Sequence, residues 1–192
     1  EMCIRDRAVF VSGDGGWAGL DKDVASSLNE HGVAVVGIDS LRYFWSERTP
    51  KGFAADLQKI IDHYRQQWHR DKVMLIGFSQ GADVLPAAIN QLDAGTREAL
   101  DRIVLLSVGR KADFEFHVSN WLGGGGDGLP IAPEVAKLPA AKTLCVYGDK
   151  DDDALCPGLP ANDGVQKVKL PGDHHFNGDY DRLAEVILKG GA

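Results

Sequence analysis

The sequence predicts an α/β fold, with one mostly parallel central sheet and helices on both faces. Three observations predict it. Short apolar runs of strand length recur along the chain and alternate with stretches of helical apolar spacing, as in a parallel sheet joined by helical crossovers. Clusters of glycine, aspartate and histidine fall where those strands end, which is where such sheets place their chemistry. The 192 residues suffice for one sizeable core and are too few for two.

Taken in order, residues 1–7 fit no element and lack the apolar stretch and cleavage site of a signal peptide. They are expected to be a flank outside the fold, leaving a single domain over 8–192. The run A-V-F-V-S-G at 8–13 is a strand, followed by G-D-G-G-W at 13–17 and an amphipathic helix over 20–30. A second strand at 33–38 ends in D-S-L-R-Y-F-W at 39–45. Neither helical nor strand periodicity buries three consecutive aromatics, so Tyr43, Phe44 and Trp45 are expected to wall a substrate pocket. Asp39 is either an electrostatic contact beside that pocket or the cap of the turn. A helix over 50–68 carries Pro50 in its first turn and Phe53, Leu57, Ile60, Ile61 and Tyr64 on one face. The strand at 73–76 gives way to helical spacing from Gln80, and a further strand spans 102–108. Residues 112–122 alternate partly, as an added strand or cap would. The five glycines around Asp127 in 123–128 form a loop, and no Walker lysine follows them to cradle a phosphate. Pro130, Pro133 and Pro139 punctuate a connector to strands at 143–147 and 165–170, and a helix over 180–189 closes the fold.

A hydrophobic content of 44% and charged content of 26% are those of an ordinary globular domain, and no apolar run is long enough to span a bilayer. The net charge of −7 argues against a nucleic-acid partner and is compatible with neutral or cationic substrates.

Between the strand at 73–76 and its helix lies G-F-S-Q-G at 77–81, a G-x-S-x-G sequence in the strand-turn-helix context of an α/β-hydrolase nucleophile elbow. Its bland counterpart is a glycine-rich turn with a capping serine. In an elbow, Ser79 is held over the helix N-terminus, where free amides favour a developing negative charge. The amide of Gln80 is then one oxyanion donor, and that of Asp14, or of Gly15, in the glycine cluster after the first strand is the other. A serine needs a histidine oriented by a carboxylate, in the chain order serine, acid, histidine. Both partners follow, in G-D-K-D-D-D at 148–153 and P-G-D-H-H-F at 171–176. Asp151, three residues past Gly148, is preferred to Asp153 and Asp149. His174, nearest the glycine turn, is preferred to His175. Metal ligation by the histidine pair lacks the remaining ligands, since His31, His63, His69 and His117 sit on other elements without ligand spacing. No metal or organic cofactor is expected.

S-G-D-G-G-W at 12–17, D-S-L-R-Y-F-W at 39–45, G-F-S-Q-G-A-D at 77–83 and H-H-F-N-G-D-Y at 174–180 together resemble the bacterial virulence protein family typified by VirJ and the related AcvB. The resemblance covers nearly the whole chain after Arg7. It implies a periplasmic α/β-hydrolase domain that hydrolyses lysyl-phosphatidylglycerol and is linked to virulence or type IV secretion, with Ser79 as nucleophile and His174 as base. Contact with a membrane surface would come through the substrate, and secretion-system proteins are the partners it implies. Asp173 departs from the pattern, standing where a second glycine is expected. An acidic rim of Asp39, Asp83 and the aspartate run would suit lysyl ammonium groups, although Asp83 also fits a first-turn residue complementing the helix dipole. In the implied compartment Cys145 and Cys156 are expected to bridge across the acid loop, whereas in a reducing cytosol they would be a buried thiol and a loop thiol. Two other functions share these motifs: a broad carboxylesterase or thioesterase for small acyl groups, and a binding module on a degenerate hydrolase scaffold.

Overall fold

The computed structural model describes residues 6–69, 71–115 and 128–190. Most of the expected strand or cap at 112–122, the glycine-rich stretch at 123–127 and His117 lie outside the described residues. The strands are β1 (Asp6–Val11), β2 (Val33–Ile38), β3 (Val73–Phe78), β4 (Leu100–Leu106), β5 (Lys111–Ala112), β6 (Leu129–Pro130), β7 (Thr143–Gly148) and β8 (Gln166–Leu170). Six of them form one sheet in the order β2-β1-β3-β4-β7-β8, and each neighbouring pair in it is parallel. The remaining two, β5 and β6, pair antiparallel as a short ribbon. The helices are α1 (Leu20–Glu30), α2 (Ser40–Tyr43), α3 (Pro50–Trp68), α4 (Gln80–Ile89), α5 (Ala94–Ala99), α6 (Ala132–Val135) and α7 (Tyr180–Lys189).

The strands carry apolar side chains on both faces because both faces are covered. Since successive residues point to opposite sides, Val9, Leu75, Leu105 and Cys145 enter one core with α3 and α4. Phe10, Ile76, Leu106 and Val146 enter the other with α1 and α7. Every residue of β3 is buried, as a central strand requires.

Strand boundaries differ from the sequence expectation by two residues in places: β4 spans Leu100–Leu106 where 102–108 is expected, and β1 starts before residue 8. The fold begins inside the 1–7 flank, because Asp6 and Arg7 continue β1 and pair with Val33 and Ala34. Polar residues suit an apolar run poorly, which hid them. Arg7 nonetheless reaches 9% exposure with its guanidinium 5.6 Å from the centre of the Trp68 ring, where the ring face attracts the cation.

A disulfide joins Cys145 on β7 to Cys156 eleven residues on, with α-carbons 5.9 Å apart and both residues fully buried. It closes the loop that carries Asp151. Closing a loop of this size removes unfolded-state freedom worth on the order of 3 kcal/mol. Cys156→Ser should therefore lower the unfolding free energy by about 2–3 kcal/mol. Urea denaturation of the oxidised proteins checks this, and coincident unfolding curves would contradict it.

Candidate active site

Nothing separates β3 from α4 except Ser79, whose backbone sits at φ 52°, ψ −122°. A non-glycine residue in such a conformation costs about 1–3 kcal/mol and persists only where its surroundings impose it. Here Ser79 N–H donates to the Leu106 carbonyl at 3.0 Å, and the Ser79 carbonyl accepts from Asp83 N–H at 2.9 Å. The flanking glycines make the turn sterically feasible. A β-carbon on Gly77 would lie 2.6 Å from the Gly81 carbonyl oxygen, and one on Gly81 would lie 2.1 Å from that of Val11. The first turn of α4 therefore rests directly on the ends of β1 and β3.

The histidine arrives from the loop after β8. His174 Nε2 lies 2.9 Å from Ser79 Oγ, and His174 Nδ1 lies 3.0 Å from Asp151 Oδ2. The carboxylate can only accept, so Nδ1 carries the proton and Nε2 is left to accept from the serine hydroxyl. The Asp151 side chain is 6% exposed and that of His174 37%, so the carboxylate is shielded while the imidazole faces the site opening. The structure thus brings Ser79, His174 and Asp151 into one hydrogen-bonded chain. The other carboxylates and the second histidine go elsewhere. Asp149 Oδ1 accepts from Gly172 N–H at 2.8 Å and holds the histidine loop against the acid loop, while Asp152 and Asp153 are exposed. His175 is also exposed, and its backbone N–H donates to Asp173 at 2.9 Å, a bond that holds the Asp173 carboxyl below its ordinary pKa. Gly148 is required for this crossing, since a β-carbon there would lie 2.2 Å from the Asp173 carbonyl oxygen.

The glycine cluster after β1 lies on the other side of the serine. A β-carbon on Gly13 would sit 3.5 Å from Ser79 Cβ, and Gly16 N–H closes a turn onto the Gly13 carbonyl at 3.1 Å, with Asp14 inside that turn. Ser40 ties the loop down, its N–H donating to Ser12 Oγ at 2.9 Å and its hydroxyl to the Ser12 carbonyl at 2.7 Å. Gly13 N–H donates to Asp21 Oδ1 at 3.3 Å. Burial raises the Asp21 carboxyl to about 7, against the lowering effect of that donor. Gln80, the first residue of α4, has an amide with no partner inside the helix.

The aromatic wall needs correction. Asp39 caps α2, accepting from Arg42 N–H at 3.1 Å, and the helical turn that follows swings Phe44 inward. Phe44 is fully buried, 5.1 Å from the ring of Phe53 and 6.1 Å from that of Phe114, so it belongs to the core and not to a pocket rim. Tyr43 is half-buried and donates its hydroxyl to Asp56 at 2.7 Å. Trp45, 68% exposed, is the member of the trio that stands at the surface.

Two groups in the site carried no decisive sequence signal. Ser107, just past β4, is buried at φ 48° and donates its hydroxyl to the His174 carbonyl at 2.9 Å. A serine and a glycine closing a strand in S-V-G were the available clue. Asp83 on α4 accepts from Gly109 N–H at 2.7 Å. Burial pushes its carboxyl up to about 8; the Gly109 donor opposes that, and the charges of Asp113, Asp14 and Asp151 add to it. Among the described residues no group of three or more His, Cys, Asp or Glu side chains could hold a metal ion, and no helix is long and apolar enough to cross a membrane.

Asp83 and Asp21 have folded-state values raised above the unfolded carboxylate's 3.8, so between about pH 4 and 8 the folded chain binds more protons than the unfolded one. Their contribution to stability is complete below that window and is lost as pH rises through it. Thermal melts should show the midpoint falling from pH 5 to pH 9, with a shallower fall for Asp83→Asn. A wild-type and variant profile of equal slope would show that Asp83 is ionised throughout.

The fold has many relatives of known structure. The esterase Est1E from Butyrivibrio proteoclasticus, solved with ferulic acid, is 18% identical with a TM-score of 0.63 over 95% of this chain and 86% of its own. The thioesterase domain from the curacin biosynthetic pathway is 15% identical, with a TM-score of 0.61 over 96% of this chain and 91% of its own. An extracellular α/β-hydrolase from a Paenibacillus species is 15% identical, with a TM-score of 0.59 over 97% and 99%. At these identities the likeness is one of fold, and the fold is that of the α/β-hydrolases. No curated protein sequence matches the chain. The model of one family matches residues 6–191, from the first described residue of β1 to beyond the end of α7, and by that match the chain belongs to the bacterial virulence protein (VirJ) family.

Proposed function

We propose that this chain is a serine esterase that cleaves the aminoacyl ester of lysyl-phosphatidylglycerol in the bacterial periplasm, in a process linked to virulence or type IV secretion. The observation that carries the proposal is the Ser79–His174–Asp151 chain, with both bonds at 3.0 Å or less. Ser79 Oγ attacks the ester carbonyl as His174 Nε2 takes its proton, and Asp151 keeps the imidazole in the required tautomer. The amides of Gln80 and Asp14 stabilise the oxyanion. His174 gives that proton to the leaving alkoxide oxygen of phosphatidylglycerol; water, deprotonated by the same nitrogen, then attacks the acyl-enzyme, and His174 returns the proton to Ser79 Oγ as lysine leaves. No metal or organic cofactor enters this sequence.

Two features favour a cationic acyl group in an oxidising compartment. The carboxylates of Asp14, Asp113 and Asp151 lie close enough to Asp83 to raise its pKa, and together they make a field suited to lysyl ammonium groups. The Cys145–Cys156 bridge fits a periplasmic location. The membrane-borne substrate would bring the domain to the lipid surface, and secretion-system proteins remain the proposed partners. A broader carboxylesterase or thioesterase is the second reading, favoured by the folds of Est1E and the curacin thioesterase domain.

Incubation with vesicles containing lysyl-phosphatidylglycerol, followed by assay of free lysine, tests the proposal. Ser79→Ala and His174→Ala should each reduce the rate by more than about a thousandfold, because members of such a unit fail together. A fluorophosphonate should label wild-type protein and leave Ser79→Ala unlabelled. Lysine release undiminished in Ser79→Ala would refute the mechanism. Wild-type turnover of simple esters or thioesters without lysine release would favour the second reading.

A further inference from the structure

Of five consecutive residues at the end of β4, the first four each bond a different part of the site and the fifth bonds the chain after β6. The Leu106 carbonyl accepts from the nucleophile's N–H at 3.0 Å. Ser107 donates to the backbone of the base, His174, at 2.9 Å. The Val108 carbonyl accepts from Leu155 N–H at 2.8 Å, on the loop that carries Asp151. Gly109 N–H donates to Asp83 on the nucleophile helix at 2.7 Å. The Arg110 carbonyl accepts from Ile131 N–H at 3.1 Å, beyond the β5–β6 ribbon. Ser107 is 1% exposed and its backbone is left-handed at φ 48°, a conformation that serine adopts only under constraint.

We propose that Ser107 and Asp83 are positioning residues of the esterase site, setting the distances among Ser79, His174 and Asp151 through the 106–110 segment without touching substrate. The assignment rests on the serine-esterase function proposed above. Its physical basis is that the three reacting groups belong to three loops with no covalent link at this end of the sheet, so their spacing depends on cross-bonds. The 106–110 segment is where these cross-bonds converge. Ser107 Oγ fixes the height of the His174 backbone over Ser79, and losing that bond lets the imidazole drift from both partners. Asp83 fixes the same segment to α4, and so to Ser79 itself. A shift of about 1 Å in such groups can cost about a hundredfold in rate while leaving substrate binding nearly intact.

Ser107→Gly removes the hydroxyl while glycine takes the left-handed conformation freely, so this variant should fold. With p-nitrophenyl acetate, a small uncharged ester, kcat should fall about 10- to 100-fold with KM changed less than about threefold. In proton NMR, the downfield His174 Nδ1–H resonance, assigned by its loss in His174→Ala, should broaden or disappear in Ser107→Gly. Asp83→Ala should lose kcat in the same way. Asp83→Asn, whose amide oxygen can still accept from Gly109, should keep at least about tenfold more of it than Asp83→Ala. A Ser107→Gly protein with wild-type kcat and an unchanged resonance would overturn the proposal, as would a pure KM effect or equal losses in Asp83→Ala and Asp83→Asn. Should Ser107→Gly not fold, the Asp83 pair decides. Should wild-type protein fail to hydrolyse this ester, lysine release from lysyl-phosphatidylglycerol vesicles serves as the kinetic readout; failure of both sinks the proposed function alone, and the resonance in the variants still decides the positioning.

Discussion

The approach of the first turn of α4 to the ends of β1 and β3 is the constraint on which the rest of this structure depends. Backbone meets backbone there, so Gly77 and Gly81 have no substitutes, and Ser79 is forced out of the common conformations because no room exists for a looser turn. That contact fixes the serine over a helix N-terminus and beside the Gly13 loop in a single stroke. The strain it imposes is repaid by burial, for α4 is apolar on almost every side and inserts Val84, Leu85, Ala88 and Ile89 into the core. A strained residue is thus held against a helix whose side chains are mostly buried.

The electrostatic character of the site follows from what those loops carry. Carboxylates come from the β1 loop, from α4, from the segment after β4 and from the loop after β7, and they crowd one end of the sheet. Burial and their mutual repulsion raise the Asp83 carboxyl, and several carboxylates have fixed donors: Asp83 has Gly109, Asp149 has Gly172 and Asp151 has His174. Each backbone donor does two things, offsetting part of a carboxyl group's desolvation and stitching one loop to the next. Acidity and order in this site therefore have a common source.

Much of this was readable from the chain itself, and the misses have identifiable causes. The strand-helix alternation and the G-F-S-Q-G turn are local patterns, governed by the period of side-chain direction and by the space a turn needs, so they survive translation into sequence. Serine, acid and histidine followed in the order the fold demands, yet the choice among Asp149, Asp151 and Asp153 is a matter of where one loop crosses another. The expectation for Phe44 fails because the inability of a period to bury all three aromatics does not put all three on a pocket rim: the helical turn capped by Asp39 buries Phe44 and leaves Trp45 outside. Asp6 and Arg7 fall outside any apolar run, yet they pair with β2 at the start of β1, where the Trp68 ring receives the arginine charge. Ser107 and the role of Asp83 were invisible for a deeper reason: their significance lies wholly in contacts with distant segments, and nothing in S-V-G or A-D-V says which loops will lie above them.

Ser79 and His174 are separated by 95 positions, with two further sheet strands, β7 and β8, added between β4 and the histidine loop. A ribosome that has made the elbow has therefore made the proposed nucleophile without the proposed base, a hydroxyl with no partner to take its proton. Reactivity appears only after the last strand has paired at the sheet edge and its loop has crossed back over β7. Contacts this far apart in sequence form late, since the closure entropy of a long loop must be met first. On the proposed mechanism, a site assembled in this order is chemically silent until the chain completes its sheet.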